Sequence, residues 1–362
     1  MKLDNRMRWV RTAEAAAKAE ETYELVYEFF SEAYIPGILE HENLKVGLIL
    51  ENPKSGLHNY QLIVKLPTNI GVAESDLEPT KNGYYSRGEV FELLNLFCIF
   101  FQCRFFLRHV ISYVHTTKGI PFRGKFTNFY RYVDPVVDQH VFSEKKCNWA
   151  EIVPFLVKIQ KLEFYNLEFS LSFQLYSKAL KNIGIDHEIA YIQLVSAIEA
   201  FSSSDSKIVV LDEEDKIEAA AVDKMIENSE FSTDIKDELK NLFKYRKVQK
   251  KFILFITRNI GNYFEKDKTD LYKINAGNFE NILKNIHKGR SNYLHAGHKM
   301  YLSDEMFKEL NTDWDFDPST GQIIDNRKWS KEEQLPYIAS FENIVRTCIL
   351  NFLDSVYFKQ LF

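Results

Sequence analysis

The chain has 362 residues, 45% of them hydrophobic and 27% charged, which excludes a disordered chain and allows two domains, each with its own core. Its formal net charge of −5 argues against a protein that coats nucleic acid non-specifically and leaves room for a local basic cleft. With 29 Phe and 19 Tyr against 14 Gly and 9 Pro, long packed helices are favoured over a turn-rich β-sandwich.

The first helix is expected from about Arg11 to Tyr34, with Tyr23, Val26, Phe29 and Phe30 on an apolar face and Pro36-Gly37 as its stop. The period then changes to two. Leu44, Val46, Leu48 and Leu50 alternate with other residues, and Tyr60, Leu62, Val64 and Leu66 do so again after Asn-Pro-Lys-Ser-Gly, which predicts a hairpin or two neighbouring strands. Phe91 to Leu107 is apolar but carries Glu92, Asn95, Gln102 and Arg104, so it reads as a buried helix, too short and too polar to span a membrane. Aromatic and basic sequence from Val110 to Val133 predicts further strands and loops. The basic N-terminus runs into Ala-rich helical sequence and shows no signal-peptide pattern. Cys98, Cys103, Cys147 and Cys348 form no CxxC pair; the first two and the last lie in apolar runs and read as buried free thiols, which fits a reducing cytoplasm.

From Leu162 the pattern is almost wholly helical. Phe164 to Lys181 predicts one helix capped by Gly184, and Asp186 is placed to cap the next, which runs to Phe201. A surface helix is expected over Asp212 to Asn228, and a long one over Ser232 to Ile260 with a break near Val248. Another helix starts near Asn278. A polar loop from Thr312 to Lys328 holds Asp313, Asp315, Asp317 and Asp325. Pro336 suits the first turn of the last helix, whose Phe341, Ile344, Val345, Cys348, Ile349, Phe352 and Val356 repeat at helical spacing. The expected fold is therefore mainly α: an N-terminal α+β domain over residues 1–160 and a helical bundle over 161–362.

The chemistry concentrates in Ile286-His-Lys-Gly-Arg-Ser-Asn-Tyr-Leu-His-Ala-Gly-His298. Arg290 is a permanent cation suited to phosphate oxygens, and His295 holds or releases a proton near neutral pH. Five residues of ideal helix set the two about 140° apart, so one straight helix places them poorly for a common phosphate. Either Gly289 begins a new helix and bends the axis, or a second copy of the chain faces the first across a two-fold axis.

This Arg-x4-His spacing, with the helix carrying Tyr191, Leu194 and Ile198-Glu-Ala-Phe201, resembles the signature of HEPN-domain ribonucleases, in particular the ApeA-like branch linked to anti-phage defence. The resemblance covers roughly Leu162 to Phe362. It implies a homodimeric, metal-independent endoribonuclease without cofactor, in which the RNA 2′-hydroxyl attacks the adjacent phosphate, His295 moves the proton and Arg290 stabilises the transition state. It also implies a growth-arresting effector or toxin, held under a regulatory partner or a phage trigger. Two positions depart from the family's usual pattern: Ser291 stands directly after Arg290, ahead of Asn292, and Ala296 intervenes between His295 and Gly297. The alternative is a HEPN module that binds RNA or a protein partner without cutting.

Each neighbour carries a plainer account as well. Asn292 either contacts RNA or orients the imidazole, or is a surface residue; Tyr293 reads as packing; His298 shares the side of His295 or is simply exposed. Glu199 lies in an apolar helix, where it either holds the Arg290 guanidinium or reaches solvent. Lys236, Lys240, Lys244, Arg246, Lys247, Lys250, Lys251 and Arg258 form a solvated face, and Lys244, Lys247 and Lys251 would track phosphates if that face borders the motif. His287, His295 and His298 with the Asp-rich loop suggest a rival metallohydrolase, although no HExxH-type spacing supports it. P-loop, GxGxxG and GxSxG patterns are missing from the sequence.

Overall fold

A computed structural model of the protein describes residues 7–52, 57–67, 88–115, 121–122, 147–162, 166–202, 213–244, 248–264, 272–304, 313–318, 320–324 and 326–361. They are mainly helical, with one six-stranded antiparallel sheet. The chain divides into two compact units, Met1–Gln193 with Phe352–Phe362, and Leu194–Asn351.

The first unit opens with α1 (Arg8–Lys18), β1 (Thr22–Ser31), β2 (Leu39–His41), β3 (Leu44–Asn52) and β4 (Leu57–Pro67). After α2 (Glu89–Phe101) come β5 (Phe105–His115), β6 (Pro121–Phe122), α3 (Val153–Lys161) and α4 (Asn166–Asn182). Strand order is β2-β3-β4-β1-β5-β6. The two alternating stretches become β3 and β4, paired with Leu44 opposite Val64 and Val46 opposite Leu62.

The long first helix is not what forms. Helix α1 stops at Lys18, and the aromatic stretch after it is the strand β1. Strand β1 is central, hydrogen-bonded to β4 on one edge and β5 on the other, and its end buries Phe29, Phe30 and Ser31 in succession. A strand covered on both faces loses its alternation, and Tyr23, Val26 and Phe30 then fall by coincidence at helical spacing. The apolar run from Phe91 is likewise shorter as a helix than expected. Gln102 adopts the left-handed conformation (φ 55°), α2 ends, and the chain re-enters the sheet at Phe105.

Phe29, Tyr60, Phe97, Phe105 and Trp149, all fully buried, make the centre of this unit. Phe29 stacks on Tyr60 at 5.4 Å, and Trp149 meets Phe97 edge-on at 5.1 Å. The Tyr60 hydroxyl donates to Ala33 O and accepts from the Ile35 N–H, both at 2.8 Å, so its polar tip is satisfied. Beside this core Arg104, 1% exposed, pairs with Glu32 through two nitrogens at 2.5 and 2.9 Å and donates to Ile183 O.

Helix α5 (His187–Ser202) contributes residues to both units, as does the last helix. The Asp186 carboxylate accepts from the Ile189 N–H at 3.0 Å, the cap its position predicted. The second unit continues with α6 (Glu213–Glu227), α7 (Thr233–Lys244), α8 (Val248–Asn259), α9 (Phe279–Ala296), a hairpin of β7 (Ile323–Ile324) and β8 (Arg327–Lys328), and α10 (Ile338–Leu361). Within the expected stretch from Ser232 to Ile260 the described residues form α7 and α8, and residues 245–247, next to the expected break near Val248, lie outside the described ones. Pro336 lies just ahead of α10 instead of in its first turn. All seven apolar positions named for α10 are buried. No described helix is long and apolar enough to cross a membrane.

Cys98, Cys103 and Cys348 are free and buried, and burial pushes all three thiols up from their ordinary value. At pH 8 they should therefore resist an aqueous disulfide reagent while half-buried Cys147 reacts. Titration of the folded protein should give one fast thiol and three more on denaturation; three fast thiols in the folded state would contradict this packing.

Candidate functional site

Helix α9 carries the motif. Phe279, Ile282, Leu283 and Ile286 repeat at helical spacing on its buried side, and Gly289 continues the stripe. A Cβ at Gly289 would stand 3.2 Å from Met300 Cε and 3.5 Å from Leu335 Cδ1. The glycine therefore answers to close packing, and α9 runs unbroken through it; no new helix begins there. The helix ends at Gly297 (φ 66°), whose N–H reaches Tyr293 O at 3.1 Å while the His298 N–H reaches Asn292 O at 3.4 Å. The 5→1 bond from a left-handed glycine is an αL cap, and it fixes the end of α9 directly after the His295 turn.

Arg290 points to α5. Its Nη2 donates to Glu199 Oε2 at 2.8 Å, with the Arg290 side chain 22% and the Glu199 side chain 11% exposed. Glu199 sits among Leu194, Val195, Ala197, Ile198 and Phe201, all fully buried, and its carboxylate needs a charged partner there. Of the two accounts of Glu199, the one in which it holds the guanidinium is the one observed. The other oxygen, Oε1, faces His287 Nε2 at 3.3 Å. That is close enough for an ion pair but too poorly aligned for a hydrogen bond, and both atoms are buried. His287 lies one turn before Arg290, and its ring is tilted against Phe252 of α8 at 5.6 Å. The sequence placed His287 only in a metal-binding reading. Its three-residue spacing from Arg290 was the signal that both serve one face.

The remaining motif residues lie further out. Ser291, Asn292 and Tyr293 are half-buried, while Leu294, His295 and His298 are exposed. Since α9 is continuous, Arg290 and His295 stand about 140° apart around it, and one chain does not direct both to a single point. Among the basic residues, Lys251 is half-buried on α8, Lys244 ends α7, and Lys247 lies outside the described residues. Lys236 and Lys240 are drawn to the end of α6, donating to Glu227 O at 2.9 Å and to the Glu227 carboxylate at 3.1 Å.

Asp315 and Asp317 serve the backbone, accepting from the Ile274 and Asp304 N–H groups, each at 2.9 Å. Asp325 lies outside the described residues. Among the described residues no group of three or more His, Cys, Asp or Glu side chains is placed to hold a metal ion.

From the sequence, Arg290 and His295 alike serve a cleft and not the core, so replacing either should leave stability near wild type. The geometry separates them. Glu199→Ala and Arg290→Ala should each destabilise the protein by about 2–3 kcal/mol, less than the ~3–5 of a fully buried pair because Arg290 keeps some solvent. His295→Ala should change stability by less than about 0.5 kcal/mol, as for an exposed side chain. Urea unfolding checks this, and equal effects of Arg290→Ala and His295→Ala would contradict it.

No known protein family, curated protein or solved structure matches the chain.

Proposed function

We propose that residues 161–362 work as a metal-independent endoribonuclease of the HEPN type, their helices forming the corresponding bundle. The observation that carries the reading is the division of labour on α9. Arg290 is held by a buried carboxylate, and His295 stands exposed on the last turn before Gly297. Glu199 bonds one Nη2–H of the guanidinium and Nε–H is buried, so the remaining Nη donors are the natural partners of a phosphate. In the reaction the RNA 2′-oxygen attacks the adjacent phosphorus and the 5′-oxygen of the next nucleotide leaves. His295 moves the proton and Arg290 stabilises charge on the non-bridging oxygens. The dependence on the 2′-hydroxyl selects RNA over DNA.

Because the two residues diverge on one helix, we place the working site across the two-fold axis of a homodimer, where facing copies of α9 supply Arg290 from one chain and His295 from the other. Asn292, Ser291 and His298 support this site, and Lys244, Lys247 and Lys251 guide the RNA. Such an enzyme suits a cytoplasmic, growth-arresting effector against phage, kept silent by a regulatory partner or trigger. A second reading draws on the same ion pair. An Arg290 tied to a buried Glu199 also suits a domain that binds RNA or a protein without cutting.

In the enzyme, His295→Ala should lower the rate of RNA cleavage by about 10²–10⁴-fold, the range for losing a positioned acid–base group, and EDTA should leave the wild-type rate unchanged. Specific activity should fall on dilution through the dimer's dissociation range. Equal rates for wild type and His295→Ala would favour the binding module, and activity restored only by added Zn²⁺ or Mg²⁺ would overturn the reading.

A further inference from the structure

We infer that His287 is a positioning residue, which acts through Glu199 to orient the Arg290 guanidinium; its kinetic consequence rests on the ribonuclease reading above. His287 and Arg290 are three residues apart, about 60° around α9, so both reach the same side chain of α5. They divide the Glu199 carboxylate between them, Arg290 Nη2 on Oε2 at 2.8 Å and His287 Nε2 facing Oε1 at 3.3 Å. A carboxylate held at one oxygen can pivot about its last torsion, which is soft. A bond at one oxygen and a close polar contact at the other narrow the orientation of its plane, and the plane limits the direction from which a guanidinium can bond to it.

The setting makes that second contact consequential. The Glu199 and His287 side chains are 11% and 13% exposed, so water competes little for either. Glu199 Oε1, His287 Nε2 and Arg290 Nε are all buried without an aligned hydrogen bond, and the imidazole faces Oε1 at 3.3 Å. The ring is also walled by Phe252 at 5.6 Å, which limits where its Nε2 can turn. An imidazole donates from Nε2 as the imidazolium and as the Nε2–H tautomer, so the role needs no particular charge. If His287 only filled space beside Phe252, an aliphatic side chain of similar volume would serve as well.

The test compares His287→Gln, which keeps a donor, with His287→Leu, which keeps apolar bulk and removes it; His287→Met replaces the latter should His287→Leu not fold. The first measurement is the ¹⁵N relaxation and hydrogen exchange of the Arg290 Nε–Hε group, assigned by its loss in Arg290→Lys. It should be ordered in wild type and His287→Gln and should exchange about tenfold or more faster in His287→Leu, as expected when a clamp is released. The second is RNA cleavage, where His287→Leu should lower kcat about tenfold with KM within about twofold, and His287→Gln should recover most of it. An ordered Arg290 and an unchanged rate in His287→Leu would overturn the assignment, as would equal losses in both variants. Release of Arg290 in His287→Leu, in a wild-type protein that cuts no RNA, would uphold the positioning role and reject the ribonuclease reading.

Discussion

The Glu199 carboxylate imposes the strictest condition on the second unit. It lies on the apolar side of α5, where burying an unpaired charge costs several kcal/mol. That cost is offset only if α9 packs with its cationic side chain toward α5 at the right height and rotation. Gly289 contributes to the same arrangement, since a side chain there would meet Met300 and Leu335. The ion pair thus sets the rotation of α9, and through it the direction of everything else the helix carries. His295, five residues on, is exposed for that reason, and the left-handed cap at Gly297 holds it on the last turn of the helix.

Much of this was legible from residue patterns alone, and the exceptions have a common cause. Strands β3 and β4 showed their alternation because they keep one more exposed face, as Lys45 and Lys65 show. Helix α10 showed its stripe, and α5 its Asp186 cap, for equally local reasons. Strand β1 reads as helix in the sequence because tertiary context covers both of its edges and both faces near its end, which removes the alternation a strand is known by. The end of α2 at Gln102 is likewise imposed from outside, by the return of the chain into the sheet beside β1.

The site divides along the same line. Arg290, His295 and Glu199 could be singled out because charged groups at apolar or helix-end positions stand out in one dimension. That Glu199 pairs with Arg290 and does not reach solvent is a distance between two helices, which spacing along a chain cannot supply. His287 stands out in the sequence only as one of three nearby histidines. Its nearness to His295 and His298 suggested a metal, whereas α9 turns His287 inward to Glu199 and leaves the other two histidines exposed. Periodicity predicts which face a residue occupies; it does not predict what the opposing helix presents to it.

In the proposed reaction an RNA 2′-hydroxyl does the chemistry while protein side chains move protons and hold charge, and the ends of the products record that directly. Purified protein incubated with total RNA in EDTA should yield fragments ending in a 2′,3′-cyclic phosphate, each paired with a 5′-hydroxyl. Fragments with a 3′-hydroxyl and a 5′-phosphate, appearing only when a divalent metal is added, would contradict it.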